Sequence, residues 1–191
     1  VTVVVGTVVG LMAGFYGGRV DAFFMRATDA LLSFPTVFLL LVLAAFVGAS
    51  LLSITLIIGL TSWMELARIL RNQTLTLREQ EFVEAALSIG ASTRIMLFRH
   101  ILPNSVSPIV VAVSVNFGNA ILAESALSYL GVGIQPPTPS WGQMISANLD
   151  QWRYSPHLVI APGAALALLI LAFNFFGDGV ADALNPRRGT K

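Results

Sequence analysis

Ionisable and amide side chains are scarce here, so each one beside or within an apolar run is a candidate for chemistry. Glu65 and Glu124 each close such a run. A carboxylate there either serves transport or reaches back to the headgroup layer. Asn116 and Asn119 lie inside the run that Glu124 closes, one helical turn apart to within a residue. Such amides either line a polar path or bond a neighbouring helix, a contact worth about 0.6 kcal/mol. Asp178 and Asp182, four apart, suit either a pair with Arg187 or with the cytoplasmic segment over about 76–100, or a solvated helix end. No H-E-x-x-H zinc motif and no G-x-x-x-x-G-K-[ST] phosphate loop occurs, and the only lysine is Lys191. There is no cysteine, so no disulfide or thiolate site exists. These residues assign no catalytic group and no metal site, and the chain carries no nucleotide-binding loop of its own.

Composition says what must position these groups. Of 191 residues, 55% are hydrophobic and 11% charged, and mean hydropathy is +0.79. A soluble domain carries about 25% charged residues and has too little interior for this much apolar surface. The sequence therefore reads as an integral membrane protein. It is not a disordered chain, a nucleic-acid binder or a secreted disulfide scaffold. A net charge of +1 gives no reason for an acidic partner.

A spanning helix needs about 20 apolar residues. Uncharged runs cover 1–18, 30–64, 101–123 and 154–177. The second is long enough for two short spans, divided at Gly48-Ala49-Ser50. Five transmembrane helices are expected, in an all-α bundle forming one domain over 1–191. The first residue is Val1, already inside an apolar run, so a further helix is expected before it. Arg19 and Arg26, the group Arg68 to Arg99, and Arg187, Arg188 and Lys191 all fall on one side. Only Arg153 of the eleven basic residues falls on the other. The positive-inside rule then puts the start of the chain outside and its C-terminus in the cytoplasm. His100 and His157 lie on opposite sides and cannot share a metal ion. Trp141, Trp152 and Tyr154 suit an outer interface in an external loop over about 125–153.

Gly6, Gly10, Gly14 and Gly18 recur every four residues. They make a smooth helical stripe for close packing, either within the chain or between subunits. The cytoplasmic segment over about 76–100 reads as a helix from Thr76 to Ile89, a Gly90 turn, and a second helix from Arg94 to His100. Ser92 or Thr93 caps that second helix, and Pro103 marks entry to the next span. Phe82, Val83, Ala86, Leu87 and Ile89 fall to one side of the first helix. The segment is either a membrane-surface hairpin or a docking element, and Ala85 and Ala86 favour docking because small side chains admit a partner closely.

Glu84-Ala85-Ala86, then Gly90, then His100-Ile101-Leu102-Pro103 resembles the E-A-A loop of bacterial ABC importer permeases. Glu81 to Ser92 with Arg99 to Asn104 resembles the dipeptide/oligopeptide/nickel branch, which often has His at the position of His100. So do Ala13 to Gly18 with Asp21, Met25-Arg26 and Asp29, then Ser33-Phe34-Pro35, Ile121 to Gly131, and Gln135 to Gly142. Ala172 to Gly179, with Asp182 and Asn185-Pro186-Arg187, is similar to the C-terminal signature of the second ("C"-type) permease of the pair.

The resemblance implies an all-helical permease core with a cytoplasmic coupling helix. Glu84, Ala85, Ala86 and Gly90 belong to that element and Pro103 closes it. The implied partners are a second permease, two ATPase subunits and an external substrate-binding protein. ATP and Mg sit on the ATPases, and this chain needs no cofactor. The implied place is the cytoplasmic membrane of a bacterium or archaeon. The implied cargo is a peptide, with nickel as an option. Asn116 and Asn119 are the candidates for lining the path. An ion-driven secondary transporter, the alternative, would want midplane charges, which most spans lack. A membrane hydrolase would want a His midspan beside a serine, and neither His100 nor His157 is so placed. A bulky side chain at Ala86, or proline at Gly90, is expected to abolish transport and spare membrane insertion.

Overall fold

A computed structural model describes residues 1–48 and 50–184. The described residues are helical, with no strand. In order they form α1 (Thr2–Tyr16), α2 (Gly18–Leu32), α3 (Thr36–Val47), α4 (Leu51–Thr61), α5 (Trp63–Arg78) and α6 (Glu81–Ser88). Then come α7 (Thr93–Ile95), a π-helical turn (Met96–Ile101), α8 (Leu102–Asn104), α9 (Val106–Tyr129), α10 (Trp141–Ala147) and α11 (His157–Ala183).

Three stretches are long and apolar enough to cross a membrane: Leu51–Arg78, Val106–Tyr129 and His157–Ala183. The broken pair α2–α3 makes a fourth if counted as one span. The expected fifth is α1, whose 15 residues reach about 22 Å at 1.5 Å each, short of a hydrocarbon core of about 30 Å. Several expected bounds shift. Gly48, at φ +93°, ends α3, and the Ser50 hydroxyl caps α4 by accepting from Ser53 N–H at 3.1 Å. Ala49 lies outside the described residues. α9 runs past Ala123 to Tyr129, so Glu124 sits inside a helix and not at its end. α11 continues to Ala183, carrying Asp178 and Asp182 on the helix. Arg187, Arg188, Lys191 and Asn185-Pro186-Arg187 lie outside the described residues.

The chain divides into two compact units, each assembled from separate segments. One holds residues 1–33, 63–113 and those from 177 on. Its spine is α1 against α5. A Cβ on Gly6, Gly10 or Gly14 would meet Trp63 O at 2.9 Å, Ala67 O at 2.6 Å or Thr74 Cβ at 2.6 Å, respectively. Three of the four stripe glycines therefore pack within the chain, where only a hydrogen fits. Gly18 stands apart, with nothing within 4 Å of its would-be Cβ. The pairing advances in step along both helices, so α1 and α5 run parallel. Leu66, Ala67, Leu70 and Thr74 of α5 are fully buried. Arg78 donates to the Phe15 carbonyl at 2.9 Å, satisfying an acceptor at the open end of α1. α2 is fastened to α5 by two ion pairs. Arg71 grips Asp21 with two bonds, at 2.8 and 2.5 Å, and Arg68 pairs with Asp29.

The other unit holds residues 34–62 and 114–176. Leu40 and Ala44 of α3 and Ile54, Ile57 and Ile58 of α4 close around Leu127 of α9. Phe117 stacks on Phe173 of α11 with ring centroids 3.8 Å apart, and Gly118 meets Ile170. The chain after α9 folds back on that helix's end. The Ser128 hydroxyl donates to Glu124 Oε1 at 2.7 Å and accepts from Ile134 N–H at 2.9 Å. Gly142 lies so close to the Ser125 carbonyl that a Cβ would sit 1.9 Å from it. Ser140 caps α10 by accepting from Gln143 N–H at 3.2 Å.

Candidate coupling site

The segment over about 76–100 is a helical hairpin, built differently from the expected one. The single helix over 76–89 is two. α5 stops at Arg78, Gln80 turns extended (φ −82°, ψ 143°), and α6 starts afresh at Glu81. Glu81 and Glu84 then occupy the first turn of α6, where carboxylates favour the helix dipole.

The end of α6 explains the spacing of Ala86 and Gly90. Gly90 N–H bonds the Leu87 carbonyl and Ala91 N–H bonds the Ala86 carbonyl, both at 3.0 Å. These two reverse bonds form a Schellman closure, which places the residue after the cap in the left-handed region. Gly90 sits there at φ +83°. Ala86 is buried, 8% exposed, with Val83 and Met96, and Phe15 and Ala91 pack on that cluster. A hydrophobic contact across such a closure commonly accompanies it. Ala86 therefore shapes the hairpin from inside, while Gly90, itself exposed, closes it through its backbone conformation. Glu84, Ala85 and Ser88 are on its outside.

The apolar residues of α6 also part company. Val83 and Ala86 face inward, while Phe82 and Leu87 are half-exposed and Ile89 is 86% exposed. The outer surface thus joins Glu81 and Glu84 to Ala85, Leu87, Ser88 and Ile89. Two carboxylates beside a small, partly apolar patch form a surface with both charge and close-approach character.

The returning arm carries His100. Ser92 takes the N-cap position without a side-chain cap bond. The turn then widens to π form over Met96–Ile101. Pro103, two residues on, has no N–H for the Arg99 carbonyl. Side chains bond the two carbonyls that follow. Asn104 Nδ2 donates to the His100 carbonyl at 2.6 Å, and the Ser105 hydroxyl donates to that of Ile101 at 2.9 Å. The His100 ring lies 6.4 Å from that of Phe82, linking the two arms. Pro103 itself is exposed in α8, and the long helix starts only at Val106.

The hairpin thus gathers Glu84, Ala85, Ala86 and Gly90, with Pro103 just past its far end. Asn116 and Asn119 stand elsewhere, on α9, half-buried and exposed respectively. Two features escaped the reading of the residues. One is the pairing of Asp21 and Asp29 with arginines of α5, since charges so far apart in sequence give no local signal. The other is Asn174 in the apolar α11. Its Oδ1 is buried and has no hydrogen-bond partner among the described residues. An amide in the middle of so apolar a run was the available cue. Among the described residues, no three metal-ligating side chains gather.

Comparison with known proteins agrees with this architecture. The backbone is similar to a chain of the MetNI methionine ABC transporter in an inward-facing conformation, with a TM-score of 0.75 over 96% of this chain and 89% of that one. At 18% identity that likeness speaks for the fold. The sequence is 41% identical to the glutathione transport system permease protein GsiD of Pectobacterium atrosepticum, over 98% of this chain and 62% of the relative. It is 44% identical to the oligopeptide transport system permease protein OppC of Escherichia coli K12, over 90% and 57%. It is 40% identical to the dipeptide transport system permease protein DppC of Alkalihalophilus pseudofirmus, over 95% and 60%. The chain spans about three-fifths of the length of these relatives. Residues 6–190 match the family described as binding-protein-dependent transport system inner membrane component. On that match and these identities, the chain belongs to this family of membrane-embedded transport subunits.

Proposed function

We propose that the chain is the transmembrane permease of an ATP-binding cassette importer, working as a single permease domain on a peptide-type solute. The relatives named for oligopeptide, dipeptide and glutathione transport support that cargo class. Nickel remains the other cargo consistent with the branch. The partners are a second permease, two ATPases that bind ATP and Mg, and an external substrate-binding protein. The hairpin and the C-terminus face the cytoplasm, as the arginine asymmetry favours. In this reading α6 docks on an ATPase, and closure of the ATPase pair moves the hairpin and switches the access of the path. Glu84 and Ala85 make the docking contact, Ala86 and Gly90 hold its shape, and Pro103 ends the arm. Asn116 and Asn119 line the path.

The observation that carries the proposal is the exposed face of α6 on a hairpin anchored to α1 through Phe15. A docking element must transmit force, so it needs a rigid base and a free outer side. Ser88 lies on that side, its hydroxyl bonded to its own helix at the Glu84 carbonyl. Because the chain has no cysteine, Ser88→Cys is a clean reporter. Paired with a cysteine in the groove of the cognate ATPase, it is expected to cross-link in an ATP-dependent manner. Free labelling of that cysteine in the assembled transporter, with no cross-link to the ATPase, would refute the docking role.

A further inference from the structure

The free face of α2 has no role in the reading above. At 3.6 residues per turn, Arg19, Phe23, Arg26 and Ala30 fall within an arc of about 60°. Thr28, fully buried, and Asp21, held by Arg71, lie on the opposite side. The structure agrees, since Arg19, Arg26 and Ala30 are exposed and Phe23 is 70% exposed.

Charge on this helix is partitioned by face. Both of its carboxylates are neutralised by α5, through Arg71–Asp21 and Arg68–Asp29. Arg19 and Arg26 have no ion-pair partner among the described residues. The outer face therefore presents two uncompensated guanidinium groups with an aromatic ring between them. The helix is also confined. One residue, Gly17, joins it to the apolar α1, and three residues join it to the apolar α3. With both ends leading directly into apolar helices, α2 stays at the bilayer. Charges at positions 19, 21 and 26 keep its first part out of the hydrocarbon. A basic, amphipathic helix with an exposed aromatic residue suits the headgroup layer, with the ring dipping toward the acyl chains.

We infer that the Arg19–Phe23–Arg26 face of α2 is a binding surface for anionic phospholipid headgroups. The guanidinium groups hold lipid phosphates in bidentate fashion, and Phe23 anchors the helix between them. The surface fixes the depth of α2 and, through the Asp21 and Asp29 pairs, the position of α5. The inference rests on membrane residence alone and not on ATPase docking.

The test titrates phosphatidylglycerol, and separately phosphatidylcholine, onto the assembled transporter and counts retained lipids by native mass spectrometry. Juxtamembrane basic residues contribute about fivefold each in affinity for an anionic surface. Arg19→Gln with Arg26→Gln is thus expected to weaken phosphatidylglycerol retention about 25-fold and to leave phosphatidylcholine retention unchanged. Arg19→Lys with Arg26→Lys keeps the charge and is expected to retain most of the preference. Circular dichroism melts of both variants check the fold. Unchanged phosphatidylglycerol retention in the glutamine variant overturns the inference. If that variant instead releases a protein subunit while lipid retention holds, the face is a protein contact and the inference fails equally.

Discussion

Gly10→Leu is expected to prevent assembly of the α1–α5 pair, and with it to lose most of the folded protein. A Cβ at position 10 would lie 2.6 Å from Ala67 O, 2.7 Å from Leu70 Cβ and 3.1 Å from Arg71 N. Two of these are backbone atoms, so no rotamer change relieves the clash. The helices must separate along their whole contact, because Gly6 and Gly14 meet α5 just as closely. In lipid, association of helices depends on such packing and not on the hydrophobic effect. Overpacking costs about 1–3 kcal/mol at an adaptable site, and this backbone contact belongs at the upper end of that range or beyond. Separation would also pull Arg78 from the Phe15 carbonyl and strain the Asp21–Arg71 pair. The measurement is the yield of monodisperse protein in detergent and its melting temperature. Val8→Leu is the control, since Val8 is half-exposed. A Gly10→Leu protein that melts with the wild type would disprove the close approach.

The second large effect separates two adjacent alanines. Ala85→Trp is expected to fold normally and to transport at less than a tenth of the wild-type rate. Ala86→Trp is expected to lose the hairpin itself. Ala85 is exposed, and surface substitutions usually stay within about 0.5 kcal/mol. An indole there instead occupies the space a docked ATPase needs. Ala86 is enclosed by Val83, Met96, Phe15 and Ala91, and its carbonyl closes the turn with Ala91. A tryptophan cannot enter that cluster without opening it. Limited proteolysis over 79–100 tells the two apart, with rapid cleavage for Ala86→Trp and a wild-type pattern for Ala85→Trp. Wild-type transport by Ala85→Trp would remove this face from the docking surface. By sequence both alanines belong on that surface; burial divides them.

The π turn shows why some features could not be read ahead. Pro103 was legible as a helix boundary, because proline lacks an N–H. The side-chain bonds beside it were not, because they depend on Asn104 and Ser105 turning back onto the His100 and Ile101 carbonyls. The break at Gln80 carries no Gly or Pro, and helical periodicity runs through it undisturbed. Only the backbone turn at Gln80 reveals that α6 begins anew there.

Membrane residence, the all-helical class and the presence of a helix–glycine–helix hairpin follow from the sequence by itself. They rest on composition, on uncharged runs of membrane length, and on glycine's tolerance of positive φ, all of which are local properties. Tertiary structure alone decided that Gly6, Gly10 and Gly14 seat α5 while Gly18 does not. It alone decided that Asp21 and Asp29 are neutralised and Arg19 and Arg26 are not, and that Ala86 faces in while Ala85 faces out. Each of these depends on which distant segment comes to lie against a helix. A helix's own periodicity sorts its residues into faces, but only its neighbours determine which face is covered.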